Sequence, residues 1–178
     1  PELPSLKQQA IHDIDMAVMN YIGLKFSTDI FGFGSDAYIT QQQHDETGVG
    51  YLTHANESHL TYGYVGGTQA RLLELEPMKA VVAYGLDGLK SMLGNDIEKY
   101  FVKGFATACG KVPLFDGAYS TVRPGKVSAR RALGVSLEDR LYFSGEATHL
   151  SQPSTVNGGL ERGRETALEV AAYLKRTS

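Results

Sequence analysis

Two short segments near the end of the chain have residue types that suit the binding of an electron-rich or anionic group. Gly145-Glu146 follows a short apolar run, 140–143, which predicts a strand. A glycine at a strand end lets another group approach the backbone closely. Thr155-Val156 begins a segment with helical spacing, and the first turn of a helix presents free N–H groups and a partial positive charge. The two segments together predict a site for an electron-rich oxygen or an anion.

The helix predicted over 156–175 has an apolar stripe with spacings of three and four residues. The members of this stripe share one face: Val156, Leu160, Gly163, Ala167, Ala171 and Leu174. Two glycines one turn apart, Gly159 and Gly163, each cost about 1 kcal/mol relative to alanine in a helix interior. They predict close packing against another element. From these patterns alone, a buried helix packed on a sheet, with no ligand, is the simpler interpretation.

The same segments match a family signature. Phe143–Thr148, followed by Thr155-Val156, resembles the C-terminal FAD signature of the flavin amine oxidase family. That family includes monoamine oxidases, polyamine oxidases, L-amino-acid oxidases and flavin-type histone demethylases. The resemblance implies FAD as cofactor, with Gly145 and Glu146 beside its ribityl and pyrophosphate part, and Thr155 and Val156 beside the pyrimidine edge of its ring. A helix N-terminus at that edge stabilises the negative charge of the reduced ring.

A second resemblance lies upstream. Gly117–Ser120 is similar to the family segment whose tyrosine forms an aromatic wall of the substrate cavity. The resemblance gives Tyr119 that catalytic-site role, and an aromatic wall suits an amine because a cation is attracted to a ring face. In monoamine oxidases a second wall falls at the position of Thr155, so the threonine here is closer to polyamine oxidases and histone demethylases. The alternative for Tyr119 is an ordinary core tyrosine.

Asn20–Phe26 resembles the family's strand after its Pro-Leu-Pro segment, in which a lysine holds a water near the flavin. The matching residue here is Tyr21, so the resemblance places Tyr21 at this catalytic position without the lysine's charge. Lys25 lies on the same strand face but roughly 13 Å away at strand rise, too far to replace that lysine. The family's Phe-Trp pair is Phe31-Gly32 here, and the chain contains no tryptophan. These departures bear on the substrate and on turnover, while the flavin signature itself is intact.

Hydrophobic patterns predict the elements that position these residues. They indicate helices at 5–15, 69–73 and 77–93, and strands at 16–26, 38–41, 50–53, 60–65 and 99–105. The strands between 38 and 65 predict an antiparallel meander, whereas 109–138 predicts mostly loop. The predicted fold class is α/β, with an α+β substrate domain around a mixed sheet in residues 1–138. Residues 139–178 are predicted to supply the C-terminal strand and helix of a Rossmann-like FAD domain.

Composition excludes several classes of function. The chain has 42% hydrophobic and 21% charged residues and a net charge of −3, which is typical of a globular protein without a nucleic-acid partner. One cysteine allows no internal disulfide, and the five histidines lack metal-ligand spacing, so no metal is predicted. No apolar run is long enough for a bilayer and no signal peptide is visible, so we expect no membrane partner. The compartment stays open, and a cytoplasmic location is favoured over the others.

The loop predicted at 109–138 contains a basic run. Its members are Arg123, Lys126, Arg130 and Arg131. Such a run is more often a solvated surface. The alternative is the mouth of a cavity that attracts a carboxylate.

The resemblance implies the C-terminal fragment of a flavin amine oxidase. The intact protein is expected to oxidise the C–N bond of an amine or amino acid to an imine with FAD and dioxygen, giving peroxide. The glycine fingerprint that binds the ADP half of FAD is absent, so we expect a missing N-terminal FAD-binding half as partner, and weak FAD binding and no activity for the fragment alone. Homo-oligomerisation stays open. Two alternatives are a related FAD oxidoreductase, such as a desaturase or a protoporphyrinogen oxidase relative, and a non-catalytic module, which Tyr21 in place of lysine favours.

Overall fold

A computed structural model describes residues 2–32, 34–41 and 47–177 of the chain. Within these residues the helices are α1 (Ser5–Asp13), α2 (Gly67–Leu75), α3 (Met78–Leu93), α4 (Ser128–Gly134) and α5 (Val156–Thr177). The strands are β1 (Ile14–Ala17), β2 (Met19–Phe26), β3 (Tyr38–Thr40), β4 (Gly50–Leu52), β5 (Leu60–Gly66), β6 (Phe101–Ala106) and β7 (Tyr119–Val122). Short 3-10 turns lie at Ala55–Glu57, Asn95–Tyr100, Cys109–Lys111 and Glu146–Thr148.

The chain forms two compact units. The larger unit is Val18–Ala118, and the smaller unit combines the residues up to Ala17 with those from Tyr119 onward. The sequence predicted a different kind of division, into a substrate-binding part (1–138) and an FAD-binding part (139–178). That division by function stays a prediction. The predicted α/β class, in its α+β form with helices on a sheet, is confirmed.

The larger unit is built on a five-stranded sheet with the order β3-β4-β5-β2-β6, and all its pairings are antiparallel, so the described sheet is not mixed as predicted. The predicted meander is therefore confirmed as β3, β4 and β5. Side chains alternate along β2, so that Ile22, Leu24 and Phe26 are buried in the core. Gly85 of α3 lies against Ile22, where a Cβ atom would come within 2.8 Å of the isoleucine side chain. Glycine at this position therefore lets α3 pack closely on the central strand.

The smaller unit is organised around a two-stranded antiparallel ladder between β1 and β7. Lys7 of α1 is 3% exposed, and its ammonium group donates hydrogen bonds to the carbonyl oxygens of Ala132 (2.8 Å), Leu133 (2.6 Å) and Val135 (2.6 Å). The same ammonium lies 4.3 Å from the ring centroid of Phe143. Lys7 thus caps the C-terminal carbonyls of α4 and holds α1 against it.

Several predicted elements differ in the structure. The predicted strand 16–26 is two strands, because the chain passes at Val18 from a ladder with β7 to the larger sheet. The predicted loop 109–138 contains β7 and α4, and these were missed because both elements are short and stabilised by distant partners. The predicted strand 140–143 is wrong for the described residues: one antiparallel bridge joins Leu137 and Leu141, and no described strand lies beside the segment to continue a ladder.

The helix predicted at 156–175 is confirmed as α5, but its predicted buried stripe is not. Val156 is 89% exposed, and Leu160 and Leu174 are also exposed, as are the other stripe positions. The covered face instead includes Gly158 and Thr166. Periodicity identified the apolar face correctly, but the described neighbours of α5 lie on the other side. The close approach predicted at Gly163 is likewise absent, since no described atom lies within 4 Å of a Cβ placed there.

No helix among the described residues combines the length and apolar character needed to cross a membrane.

Candidate active site

The turn at Gly145 presents bare backbone. Gly145 has a φ of 111°, in the region that L side chains rarely adopt, and a Cβ atom placed there would have no described atom within 4 Å. Its carbonyl oxygen accepts from the backbone N–H (3.1 Å) and the hydroxyl (2.9 Å) of Thr148, which fixes the following 3-10 turn. This geometry fits the expectation of a glycine that leaves room for a close neighbour, because the conformation favours glycine and the space beside it is open.

The start of α5 exposes amide groups. Thr155 is the N-cap residue: its hydroxyl oxygen accepts from the Gly158 N–H (2.9 Å) and its hydroxyl proton is directed to the Gln152 carbonyl (2.8 Å). Within the described chain no group accepts from the N–H of Val156 or Asn157. Both N–H groups lie in the first helical turn, where the helix dipole adds a partial positive charge. This tip can therefore bind an electron-rich oxygen.

The structure brings the two predicted cofactor segments together. The backbone N–H of Ser154, directly before Thr155, donates to Glu146 Oε2 at 2.6 Å. A Cβ atom on Gly159 would lie 3.8 Å from the backbone nitrogen of Glu146. The turn at Gly145-Glu146 and the tip of α5 thus adjoin, and they form one surface of backbone amides.

The Glu146 side chain has a different role from the one its position suggests. Its carboxylate accepts from the backbone N–H of Ser120 (2.8 Å), the hydroxyl of Ser120 (2.7 Å) and the N–H of Ser154. All three donors belong to the protein. The carboxylate therefore holds neighbouring segments together, and the backbone at Gly145 is the part of this turn that stays open to a neighbour.

Tyr119 lies at the first position of β7, opposite Ala17 of β1, and is half-buried. Ser120 follows it and is fully buried. Because consecutive strand residues project to opposite faces, Tyr119 points away from the polar contacts made by Ser120. The strand that holds Tyr119 is thus anchored from its other face.

Tyr21 belongs to the larger unit and lies on the open face of its sheet, where it is 39% exposed. Its backbone N–H donates to Thr107 Oγ1 at 2.9 Å. Its ring meets that of Tyr64, directly opposite on β5, edge to face with centroids 5.2 Å apart, and Tyr38 lies 6.5 Å beyond. Burial, followed by the neighbouring phenols of Tyr38 and Tyr21, raises the pKa of Tyr64.

The sequence did not predict that Tyr38 and Tyr64 lie beside Tyr21. The missing information was the register that sets Tyr64 opposite Tyr21. Sequence reasoning also misjudged Arg130, one of the residues predicted to form a solvated basic run. Arg130 is 4% exposed and lies in α4, whereas its neighbour Arg131 is exposed.

The other titratable residues give no metal site. In the part of the chain that the structure describes, no group of three or more histidine, cysteine or acidic residues is placed to hold a metal ion. His54 bonds to Asp29 at 2.6 Å, and His149 to Glu161 at 2.8 Å, so both belong to local pairs. His44 lies outside the described residues.

Comparison with known proteins agrees with these features. A family model described as flavin containing amine oxidoreductase matches residues 1–171. The chain is 28% identical, over 98% of its length, to lysine-specific histone demethylase 1 homolog 2 of Arabidopsis thaliana. It is 30% identical, over 95% of its length, to polyamine oxidase 4 of Oryza sativa subsp. japonica. The chain spans 25% of the first protein and 34% of the second, so it corresponds to only a part of each.

A solved structure shows the same fold. Cyclohexylamine oxidase from Brevibacterium oxydans IH-35A superposes with a TM-score of 0.78 at 17% identity, covering 98% of this chain and 39% of that one. The fold match extends over nearly all of the chain, and the family match covers both cofactor segments and both predicted tyrosines. The resemblance inferred from the signature residues is therefore confirmed, and the chain belongs to the flavin-containing amine oxidoreductase family.

Proposed function

We propose that the protein containing this chain oxidises the C–N bond of an amine with FAD as its cofactor, and that this chain forms the ring end of the cofactor site and walls of the substrate cavity. The observation that carries the proposal is the adjoining pair of backbone surfaces at Gly145-Glu146 and at the tip of α5. Each surface is rich in amide groups and open to a neighbour. An apolar core contact needs neither property.

The residues present fit a flavin. Gly145 leaves open space in a conformation that excludes a side chain, so its backbone is available to the chain-like part of the cofactor. Val156 and Asn157 supply the free N–H groups at a helix N-terminus, which favour negative charge at a ring oxygen. When bound, FAD would supply the redox chemistry, which is the two-electron oxidation of the amine C–N bond to an imine, with dioxygen as the final electron acceptor and peroxide as the product.

Tyr119 and Tyr21 are proposed to face the substrate. An aromatic ring face attracts an ammonium group by about 0.5–2 kcal/mol, depending on how dry the site is. Within the larger unit, Tyr21 makes an edge-to-face contact with Tyr64, so the two rings form one aromatic surface on the open sheet face. A phenol at this position donates a hydrogen bond, as a lysine would, but carries no positive charge at neutral pH. Tyr21 is therefore proposed to orient water or the amine without repelling a cationic substrate.

The substrate class is proposed to be a primary or secondary amine. The names of similar proteins refer to demethylation of histone lysine and to oxidation of polyamines and cyclohexylamine. In each of these substrates, the carbon bonded to the amine nitrogen is the one that is oxidised. The open sheet face with its tyrosines suits such substrates better than an anionic one.

The test uses the full protein that contains this chain. A flavin absorbance spectrum establishes whether FAD is bound, and a peroxide assay with a panel of amines establishes turnover. We expect bound flavin, and peroxide with at least one amine. Tyr119→Phe, which keeps the ring, should retain the amine KM, whereas Tyr119→Ala should raise it. Bound flavin without peroxide from any amine would favour a related FAD oxidoreductase, and a protein without flavin would be a non-catalytic module.

A further inference from the structure

A buried polar network lies behind the turn at Glu146. Arg130 is 4% exposed and Ser120 is fully buried. Nη1 of Arg130 donates to the Ser120 hydroxyl oxygen at 2.6 Å and to the Ala147 carbonyl at 3.1 Å, and Nη2 donates to the Ser120 carbonyl at 3.2 Å. One guanidinium thus bonds to two segments that are distant in sequence, β7 and the turn after Gly145.

The chemistry of Arg130 fixes the direction of the next hydrogen bond. A guanidinium has donors only, so the Ser120 oxygen must accept from it. The single proton of that hydroxyl is then directed to Glu146 Oε2, 2.7 Å away. Nη1 of Arg130 lies 4.0 Å from the same carboxylate oxygen, so the two charges act mainly through the serine.

The network ends at the two places that the proposed function uses. Ser120 is the strand neighbour of Tyr119. Ser154 directly precedes Thr155; its N–H donates to Glu146 Oε2 at 2.6 Å and its hydroxyl to the Ser120 carbonyl at 2.7 Å. A displacement of Ser120 or Glu146 therefore moves both the strand with Tyr119 and the start of α5.

Burial makes this arrangement sensitive to the loss of one partner. Desolvation lowers the pKa of Arg130 and the charge of Glu146 opposes that effect, but a guanidinium stays charged in proteins. Removal of the guanidinium leaves the Glu146 carboxylate without the positive charge 4.0 Å away and the Ser120 hydroxyl without its fixed direction. Arg130 is 4% exposed and the Glu146 side chain is 24% exposed, so loss of the guanidinium leaves a partly buried carboxylate uncompensated, at a smaller cost than in a fully buried pair.

The geometry points to Arg130 as a positioning residue: through Ser120 and Glu146 it holds Tyr119 and the amide tip of α5 in a fixed relation. It contacts neither cofactor nor substrate in this role. This inference rests on the proposed function, since it assigns the two ends of the network to substrate and flavin. It adds a residue that the family signature at Phe143–Thr148 does not contain.

The test compares four variants of the full FAD-containing protein: Arg130→Met, Arg130→Lys, Ser120→Ala and Arg131→Met. Arg131 is the matched control, because it is the next residue of α4, is exposed, and makes no hydrogen bond or ion pair within the described part of the chain. The readouts are the FAD dissociation constant from flavin fluorescence, KM and kcat for an accepted amine, and the melting temperature of the FAD-free protein. Only the first three report positioning, whereas the last reports folding.

We expect Arg130→Met to raise the FAD dissociation constant at least about tenfold and to raise KM for the amine more than it lowers kcat. Arg130→Lys should recover part of both losses, because an ammonium retains the charge but cannot reach all three acceptors. Arg131→Met should match wild type. If Arg130→Met does not fold, Ser120→Ala provides the test. We expect it to raise the FAD dissociation constant and the amine KM about threefold.

Two results overturn the inference alone. In the first, the wild-type protein binds FAD, and the Arg130 and Ser120 variants have the same FAD dissociation constant, KM and kcat as Arg131→Met. The other is a lower melting temperature with unchanged FAD affinity and KM, which would make the network merely structural. A wild-type protein without FAD overturns the proposed function, and this inference with it.

Discussion

Two glycines of α5 lie five residues apart. Replacing each with alanine is predicted to change the free energy of unfolding in opposite directions. Gly158 is buried at the third position of the helix, where its N–H is capped by Thr155. A Cβ atom there would lie 3.0 Å from the carbonyl carbon of Gln152, nearer still to its oxygen, and 3.2 Å from Thr155 Oγ1. Gly163 has no described atom within 4 Å of the same position. Backbone, rather than a flexible side chain, must therefore move to accommodate Gly158→Ala.

The magnitudes follow from three effects. Forcing a methyl group against fixed backbone costs about 1–3 kcal/mol. Displacing Gln152 or Thr155 also weakens the N-cap, which contributes about 0.5–2 kcal/mol. Alanine returns about 1 kcal/mol through its higher helix propensity. We expect a net loss of about 2 kcal/mol for Gly158→Ala, and for Gly163→Ala, where only the propensity acts, a gain of about 1 kcal/mol.

Thermal unfolding of the FAD-free protein measures this difference. A gap of about 3 kcal/mol between the two variants corresponds to roughly 6–12 °C in the melting temperature of an unfolding unit the size of this chain. Because the shift at Gln152 also displaces the amide tip, Gly158→Ala should weaken FAD binding as well, while Gly163→Ala should not. The reasoning is refuted if Gly158→Ala melts at or above the wild-type temperature, or if the two variants change in the same direction by the same amount.

Three further predictions concern single side chains. Lys7→Met should lower the free energy of unfolding by about 3 kcal/mol, because three carbonyl groups lose a charged donor. Lys175 is exposed, so the control Lys175→Met should change this free energy by less than about 0.5 kcal/mol, and urea denaturation measures both. Thr155→Val should cost about 1 kcal/mol by thermal unfolding through loss of the cap, with Thr155→Ser close to wild type, and equal costs for the two would contradict the cap. Hydrogen bonds from Gly32 and Phe31 N–H hold the pKa of Asp29 low, so its stabilising effect is present above about pH 4 and is lost as the pH falls further. Asp29→Asn should therefore show a shallower loss of stability in an acid titration followed by circular dichroism, and an unchanged slope would show that Asp29 does not contribute.

The larger unit was the easier part to predict because its signals are local. Short runs of strand-forming residues predicted the strands at 38–41, 50–53 and 60–65 and their antiparallel meander. The apolar period of α3 and the glycine that ends it fixed that helix within one residue. These patterns depend on neighbours close in sequence, so they can be recognised without knowledge of the tertiary structure.

The smaller unit shows what local patterns omit. β7 is four residues long, and its partner β1 lies about a hundred residues away in sequence, so neither strand was predicted as a separate ladder. Arg130 was interpreted as part of a solvated run because its charge, taken alone, favours water. Its burial depends on acceptors from Ser120 and Ala147, which only the folded chain brings together. A buried charge is therefore the kind of residue that sequence patterns place wrongly.

Glu146 illustrates how a signature identifies a position without identifying the atoms that act there. The sequence correctly predicted that Gly145-Glu146 lies beside the start of α5, and the backbone contacts agree. It did not show that the carboxylate is occupied by Ser120 and Ser154, because a signature lists residues and not directions. A carboxylate is also a poor neighbour for a pyrophosphate, since both are negative. Turned inward, the same charge instead fixes the helix tip whose N–H groups favour an anion. Glu146 therefore supports the proposed flavin site by orienting backbone donors.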